Sequence, residues 1–407
     1  MNLIRIIPAK EVVNAMTRGT TPNAAESSHP EPEPVDTLVV GAGLPGLVTA
    51  WFRARSGATV VVVDDHAPRA ASPVAAGMLT PASEATFGED ALMRLAMLSR
   101  DRFLDFVHEL EQESGENVAH HPGGTLQVAF DTDDLAVLTR LLELHERLGV
   151  KTERLTSREC RRLEPMLATS IRGGIFAPED DSVDPRRLAK ALRVAAERRG
   201  VEFVTGHAAR LAVSDGRCHG ADLDDGRELR AAATVVAAGA WTSLLDGVPA
   251  DVPRVRPVKG QLLRLRLPKG GEPLVTRTVR GLVRGTPVYA VPRKDGEVVL
   301  GATQEERGFD GEATAGGLWQ VLRDGHDLLP GLSELDVVEV NVGMRPATAD
   351  NAPLLGPTRV PGLFLATGHH RHGVLLCPVT GDVLSHALEH GHVPDYAAEF
   401  AATRHIG

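Results

Sequence analysis

The run GAGLPG at residues 41–46 sets Gly41, Gly43 and Gly46 at the spacing of a backbone turn that lies against a pyrophosphate. Gly41 suits the tight turn, Gly43 keeps a Cβ away from the phosphates, and Gly46 lets the next helix pack close to the preceding strand. Leu44 and Pro45 open that helix, and its unpaired N-terminal N–H groups face where phosphates would sit. About 20 residues on, an apolar run ends at Asp64, where a carboxylate accepts hydrogen bonds from a ribose. The adjacent Asp65 could substitute for it. A purely structural turn, the other reading of three glycines, does not account for an acid in register.

Such a turn works only between the right elements. Leu38, Val39 and Val40 precede it as a strand, residues 47–55 follow with helical amphipathicity, and residues 59–63 form a second apolar run. This is a βαβ dinucleotide-binding unit. Residues 70–81, rich in Ala, Gly and Pro, lead to a helical pattern over 89–113 with Leu92, Leu95, Phe103, Val107 and Leu110 on one face. A second helix is expected over 132–148, with Leu135, Leu138 and Leu142 inward. Thr156 and Glu159 have capping-box spacing, and Asp184-Pro185 starts a helix that ends at Gly200. Residues 202–204 and 234–238 read as strands, Asp225-Gly226 as a hairpin turn, and 261–267, 288–293 and 297–301 as parts of an antiparallel sheet. A last strand at 363–366 leads through a Gly/His/Arg loop into a helix toward His390.

With 407 residues the chain exceeds one ordinary domain. The fold class expected is α/β: a Rossmann-like nucleotide-binding domain, discontinuous in sequence, joined to an α+β substrate domain built on an antiparallel sheet. The expected partition gives 35–115, 165–250 and 345–395 to the nucleotide part, and 116–164 and 251–344 to the substrate part. Residues 1–34, polar and punctuated by proline, lack a long apolar core and a cleavage site, and read as a disordered extension.

A net charge of −10 offers no footprint for a nucleic-acid backbone, and no stretch approaches the ~18 apolar residues of a membrane span. Neither partner is expected. Cys160, Cys218 and Cys377 are odd in number and far apart, which suits a reducing cytoplasm and small buried side chains.

Four further segments accompany the glycine turn: residues 75–81 (AAGMLTP), 258–261 (VKGQ), 343–346 (GMRP) with Asp350 and Pro353, and 368–373 (GHHRHG). In this order the chain resembles, over residues 35–388, the glycine oxidase branch of the D-amino acid oxidase-like flavoproteins. The resemblance implies non-covalent FAD, with Ala71 and Ser72 near the pyrophosphate and Ala76, Gly77 and Met78 beside the flavin ring. His369, His370, Arg371, His372, Gly373, Val374 and Leu375 would pass the far end of the ring. Arg345 matches the arginine that holds the substrate carboxylate, the alternative being a strand-end arginine paired with Asp350. Arg371 matches a second position beside substrate, and Tyr289 an active-site tyrosine, although a loop arginine can simply form a salt bridge and a strand tyrosine can simply be packing.

Two departures bear on specificity, since Arg284 stands where better-known relatives have a second tyrosine, and Gln304 where some have an apolar residue. Lys259 either reaches the flavin or caps a strand. Cys377 is not aligned with the attachment cysteine of covalent sarcosine oxidases. The clustered histidines lack carboxylate or thiolate companions at metal spacing, so no metal is expected. The implied activity is oxidation of glycine, and of sarcosine or small D-amino acids, by oxygen to an imine or glyoxylate, ammonia and hydrogen peroxide, supplying the thiazole ring of thiamine. A homo-oligomer is expected. The rivals are a D-amino acid dehydrogenase or sarcosine-type oxidase, set apart by electron acceptor and relative rates, and an inactive nucleotide-binding scaffold, which would need none of Arg345, Arg371 and Tyr289.

Overall fold

Valine-rich runs make the first sheet. In the computed structural model, which describes residues 34–268 and 270–404, Val60–Asp64 reads VVVVD with its four valines buried, the pattern of a parallel strand covered on both faces. Five parallel strands lie in the order Glu202–Thr205, Val60–Asp64, Val35–Val40, Glu228–Val236 and Leu363–Thr367. Leu354–Pro357 adds an antiparallel edge, and Ala208–Ser214 with Arg217–Leu223 forms an antiparallel extension on the first half of Glu228–Val236. The extension expected at residues 1–34 lies, except for Pro34, outside the described residues.

Helices Leu44–Arg55, Asp90–Ser114, Pro185–Arg198 and Cys377–His390 pack on one another over this sheet. Trp51 is fully buried at their centre, edge-on to Phe52 at 5.3 Å and Phe106 at 5.7 Å, and its indole N–H donates to Glu113 at 2.9 Å. The face expected for the long helix is the buried one: Leu92, Leu95, Phe103, Val107 and Leu110 all join this core. Asp184 caps Pro185–Arg198 by accepting from the backbone N–H of Arg186 and Arg187.

The second sheet has eight strands in the order Asp336–Ala347, Arg256–Arg266, Glu297–Gly301, Thr286–Pro292, Thr278–Val283, Thr125–Ala129, Gly173–Ala177 and Glu153–Thr156. Two strands depart from the expected partition: Asp336–Ala347 crosses its boundary at 344/345 and carries Arg345 on the second sheet. Gly173–Ala177, assigned above to the nucleotide part, pairs residue for residue with Thr125–Ala129. Its sequence, GGIFA, is short, with glycine at two of five positions and no alternation to mark its sheet. Helix Thr132–Leu148 has the bounds expected and opens on a capping box at Asp131 and Asp134. Its most deeply buried leucines are Leu138, Leu141 and Leu144, with Leu135 and Leu142 flanking them.

The join between the first strand and its helix leaves no space. A Cβ on Gly46 would overlap the Gly41 carbonyl and press on Ala237. Gly46→Ala should therefore destabilise the protein by about 2–4 kcal/mol, through forced separation of helix and strand. Urea unfolding followed by circular dichroism checks this, and an unchanged midpoint would contradict it.

Candidate active site

A cavity of about 620 Å³ opens where the carboxyl ends of the parallel strands meet the second sheet. The first sheet and its turn contribute Gly41, Gly43, Leu44, Pro45, Asp64 and Asp65 to its lining. The loop after Asp65 contributes Ala71, Ser72, Ala76, Gly77 and Met78. Tyr289 and Arg345 come from the second sheet, and His369, His370, Arg371, Gly373 and Val374 from the C-terminal loop.

Three expected cofactor residues do not line the cavity. Gly46 faces the strand behind the turn. His372 is buried against Glu84, with Nδ1 3.7 Å from its carboxylate. Leu375 sits in the helical core, and its carbonyl accepts from the Ser99 hydroxyl at 2.7 Å. A loop that turns into a helix sends alternate residues away from the cavity, so a continuous run of seven overstates its lining.

Asp64 ties the glycine turn together. Its carboxylate accepts from Ala42 N–H at 2.9 Å and His66 N–H at 3.0 Å while still bordering the cavity. Asp65 instead meets His207 at 2.6 Å. Gly41 has φ +107°, closed to ordinary side chains, and the helix N-cap Gly43 supplies no side-chain cap. The Ser72 hydroxyl accepts from Leu44 N–H at 3.0 Å, so the second loop crosses directly over the helix N-terminus.

That loop is clamped from beneath by Arg293. Its guanidinium donates to the carbonyls of Ala76 at 2.5 Å and Val183 at 3.0 Å, and burial lowers its pKa to about 10. Gly77, at φ +78°, touches the same Val183 carbonyl with no room for a Cβ. At Gly77, therefore, backbone alone borders the cavity.

On the second sheet, Arg345 lies flat on Gly260, whose missing side chain makes the space, and donates to the Thr303 carbonyl at 3.1 Å. Among the described residues it has no carboxylate partner; Asp350 pairs with Arg404 instead, at 3.1 Å. Tyr289 lies over Gly301 in the same way. Burial raises its pKa, against the opposing charge of Arg345, so the phenol stays protonated.

Arg371 borders the cavity, but its guanidinium is committed to Glu89 and Thr86. The salt-bridging alternative describes it. Arg284 sits at a hairpin tip, paired with Asp327 at 2.7 Å and 4.5 Å over Phe130, away from the cavity that Gln304 lines. Lys259 is fully buried, 3.5 Å from Asp310, and does not line the cavity. Burial lowers His369 and His370 to about 3 and His372 to about 4, so all three are neutral near pH 7.

Sequence reasoning missed four contributors. Residues 237–241 line the cavity at the end of a strand, and Trp241 stands 5.6 Å from Phe309. Arg293 was visible only as the end of an alternating run. Arg280 and Glu84 both line the cavity and form a largely buried pair at 2.9 Å. Burial opposes ionisation of Glu84, but Arg280, His372 and Arg371 outweigh it and hold its pKa below the ordinary value.

Residues 36–387 match the family model "DAO: FAD dependent oxidoreductase". The chain belongs to this family. It is 33% identical over 360 residues to the bifunctional protein ThiO/ThiG of Nostoc sp. (strain PCC 7120), a match covering 86% of this chain and 52% of that protein. It thus spans about half the length of the bifunctional relatives. It is 31% identical over 379 residues to the glycine oxidase of Geobacillus kaustophilus (strain HTA426), covering 91% and 97% of the two chains. The crystal structure of glycine oxidase from Geobacillus kaustophilus superposes with a TM-score of 0.84 at 29% identity, covering 92% of this chain and 99% of that one.

The DAO-family cofactor, FAD, suits this cavity. Its volume falls in the range of cofactor sites, roughly 300–1,000 Å³. A glycine turn at a helix N-terminus suits a pyrophosphate, and the wall at Ala76 and Gly77 suits a flat ring. No cysteine lines the cavity among the described residues: Cys160, Cys218 and Cys377 are buried and free, and burial pushes the Cys377 thiol well up.

Glu84 is carried on a turn held by Asp180. That buried carboxylate accepts from the N–H of Ala82 and Ser83 and from the Ser83 hydroxyl at 2.6 Å. Burial nevertheless raises its pKa from 3.8 to about 6. A raised carboxyl pKa favours the fold fully below about pH 4, and that contribution is lost as pH rises through about 6. The loss is on the order of 2–3 kcal/mol. Asp180→Asn should flatten this part of the stability profile, measured by denaturant midpoints from pH 4 to 7.

Proposed function

We propose that this DAO-family protein oxidises glycine, and more slowly sarcosine and small D-amino acids, with oxygen as acceptor: glycine, oxygen and water give glyoxylate, ammonia and hydrogen peroxide. The observation that carries the reading is Arg345, a guanidinium on the cavity wall without a carboxylate partner among the described residues. The names of the full-length relatives support it, and the resemblance to ThiO/ThiG supports a role in supplying the thiazole ring of thiamine. Within this reading the protein is cytoplasmic and homo-oligomeric, and the first sheet with its helices forms the FAD domain while the second sheet forms the substrate domain.

FAD held between the glycine turn at Gly41 and Gly43 and the wall at Ala76 and Gly77 would supply a two-electron acceptor for the substrate C–H bond, with oxygen as the final acceptor. Arg345 orients the substrate by two parallel hydrogen bonds to its carboxylate. Its planar fork, backed by Gly260 and fixed to Thr303, allows little rotation. Tyr289 presents a neutral hydroxyl to the same space. Neither residue is a base, and the neighbouring Glu84 is held by Arg280, so the amine enters the reaction already deprotonated. Arg371, tied to Glu89, fixes the C-terminal loop rather than the substrate.

The test is a panel of amines assayed for peroxide alongside the flavin spectrum. Arg345→Met should lower kcat/KM for glycine by about 2–3 kcal/mol, roughly 30- to 160-fold, mostly through KM and with FAD retained. Wild-type kinetics in this variant would remove Arg345 from the site. The pH profile offers a second check. With His369, His370 and His372 neutral well above their lowered pKa values, kcat/KM should rise with amine deprotonation and show no histidine inflection between pH 5 and 7.5.

A further inference from the structure

Helix Cys377–His390 ends in a cluster of histidines, at the opposite end from the loop that borders the cavity. His386 and His390, four residues apart, share one face of its last turn. Gly391 follows as the C-cap with φ +80°, its N–H donating to the Ala387 carbonyl at 2.8 Å, and the chain turns back so that His392 meets the same pair. The ring centroids of His386 and His390 stand 4.3 Å apart, those of His386 and His392 5.1 Å, and those of His390 and His392 6.3 Å. His390 and His392 are exposed, so core packing does not account for the cluster.

Hydrogen bonds sort the ring nitrogens. Nδ1 of His390 lies 3.0 Å from the His386 carbonyl, and Nδ1 of His392 lies 3.0 Å from the Val393 carbonyl. A carbonyl only accepts, so each Nδ1 carries the proton and each Nε2 keeps its lone pair. Metal-bound histidines are held in this way, the second ring nitrogen donating to a backbone carbonyl and fixing the tautomer. Nε2 of His386 is buried and has no hydrogen-bond partner among the described residues.

The dimensions agree. With zinc–nitrogen bonds of about 2.0–2.1 Å, each ring centroid lies about 3.2 Å from the metal, and two rings at the tetrahedral angle have centroids about 5.2 Å apart. The three measured separations bracket that value. Among the described residues no three such side chains already surround a metal position, and here His386 and His390 stack with 19° between their planes. Rotation of the two solvent-facing side chains, His390 and His392, completes the convergence.

We infer that His386, His390 and His392 form a zinc site of three Nε2 donors, with water as the fourth ligand. Imidazoles without carboxylates favour borderline transition cations over magnesium or calcium. The ion would clip the last turn of the helix to the chain that leaves it. Its effect falls on stability rather than turnover, because the 14 residues of the helix set the site about 20 Å from the loop at the cavity.

The experiment dialyses chelator-treated holoenzyme against zinc or magnesium, counts the bound metal, and follows thermal unfolding in parallel. Wild type should take up one zinc per chain at micromolar free zinc and no magnesium, with an unfolding midpoint that rises with zinc. His390→Ala and His392→Ala, both at exposed positions, should each weaken zinc binding at least about tenfold, since losing even an outer-shell partner of a ligand costs roughly 10–100-fold. Each should also remove the zinc-dependent rise, while FAD content and the midpoint without zinc stay close to wild type. A wild type that takes up no zinc, uptake that persists undiminished in the double variant, or uptake with no rise in the midpoint overturns the site. None of these outcomes depends on which amine the protein oxidises.

Discussion

Arg345 can lie flat against the second sheet only because Gly260 has no side chain, and in the oxidase reading proposed above the orientation of the substrate depends on that contact. The two residues are diagonal neighbours across adjacent antiparallel strands, Val258 standing opposite Arg345 and Gly260 opposite Gly343. At that separation a long side chain readily reaches its diagonal partner. A Cβ on Gly260 would occupy the space of the guanidinium itself. The second sheet therefore acts as a template, with glycines at two sites forming a floor on which Arg345 and Tyr289 rest. Register rather than loop conformation sets their mutual position.

The cations around the cavity differ in what they can bind. Arg371 is held by Glu89, Arg293 by two carbonyls, Arg280 in part by Glu84, and Arg345 by one carbonyl alone. The partners already engaged decide this division, since all four are guanidiniums with the same intrinsic charge. Arg293 and Arg371, whose donors are taken up by carbonyls or a carboxylate, build a wall and fix a loop; Arg280 and Arg345 keep donors beside the cavity. Neutral histidines on the C-terminal loop keep the division insensitive to pH near neutrality.

Local pattern made much of this legible. The switch from apolar run to glycine turn to amphipathic helix identified the βαβ unit, and caps at Thr156 and Asp184 marked helix starts because capping is written within four residues. Arg345 and Tyr289 came from motif resemblance, and both reach the cavity. What sequence concealed was long-range partnership. Glu89 lies 282 positions from Arg371, and nothing local shows that it claims that guanidinium. Glu84 is 196 positions from Arg280, so neither stood out in its own segment. Gly173–Ala177 is too short to reveal which sheet it joins.

Some of the buried polar atoms that find no protein partner among the described residues lie near the same place. Arg280 Nε, Arg293 Nε, Lys259 Nζ, His369 Nδ1 and His372 Nδ1 belong to residues that line the cavity or adjoin those that do. Where neither water nor a bound group satisfies it, such an atom costs about 1–3 kcal/mol in the folded state. A chain selected for stability alone would replace several of these side chains with apolar ones of similar volume. Arg293 illustrates why it does not: burial depresses its pKa, yet no apolar residue could hold the carbonyls of Ala76 and Val183 together and keep Gly77 against the cavity. Such buried polar groups are the consequence of fixing a wall of small residues and a set of oriented donors in one place.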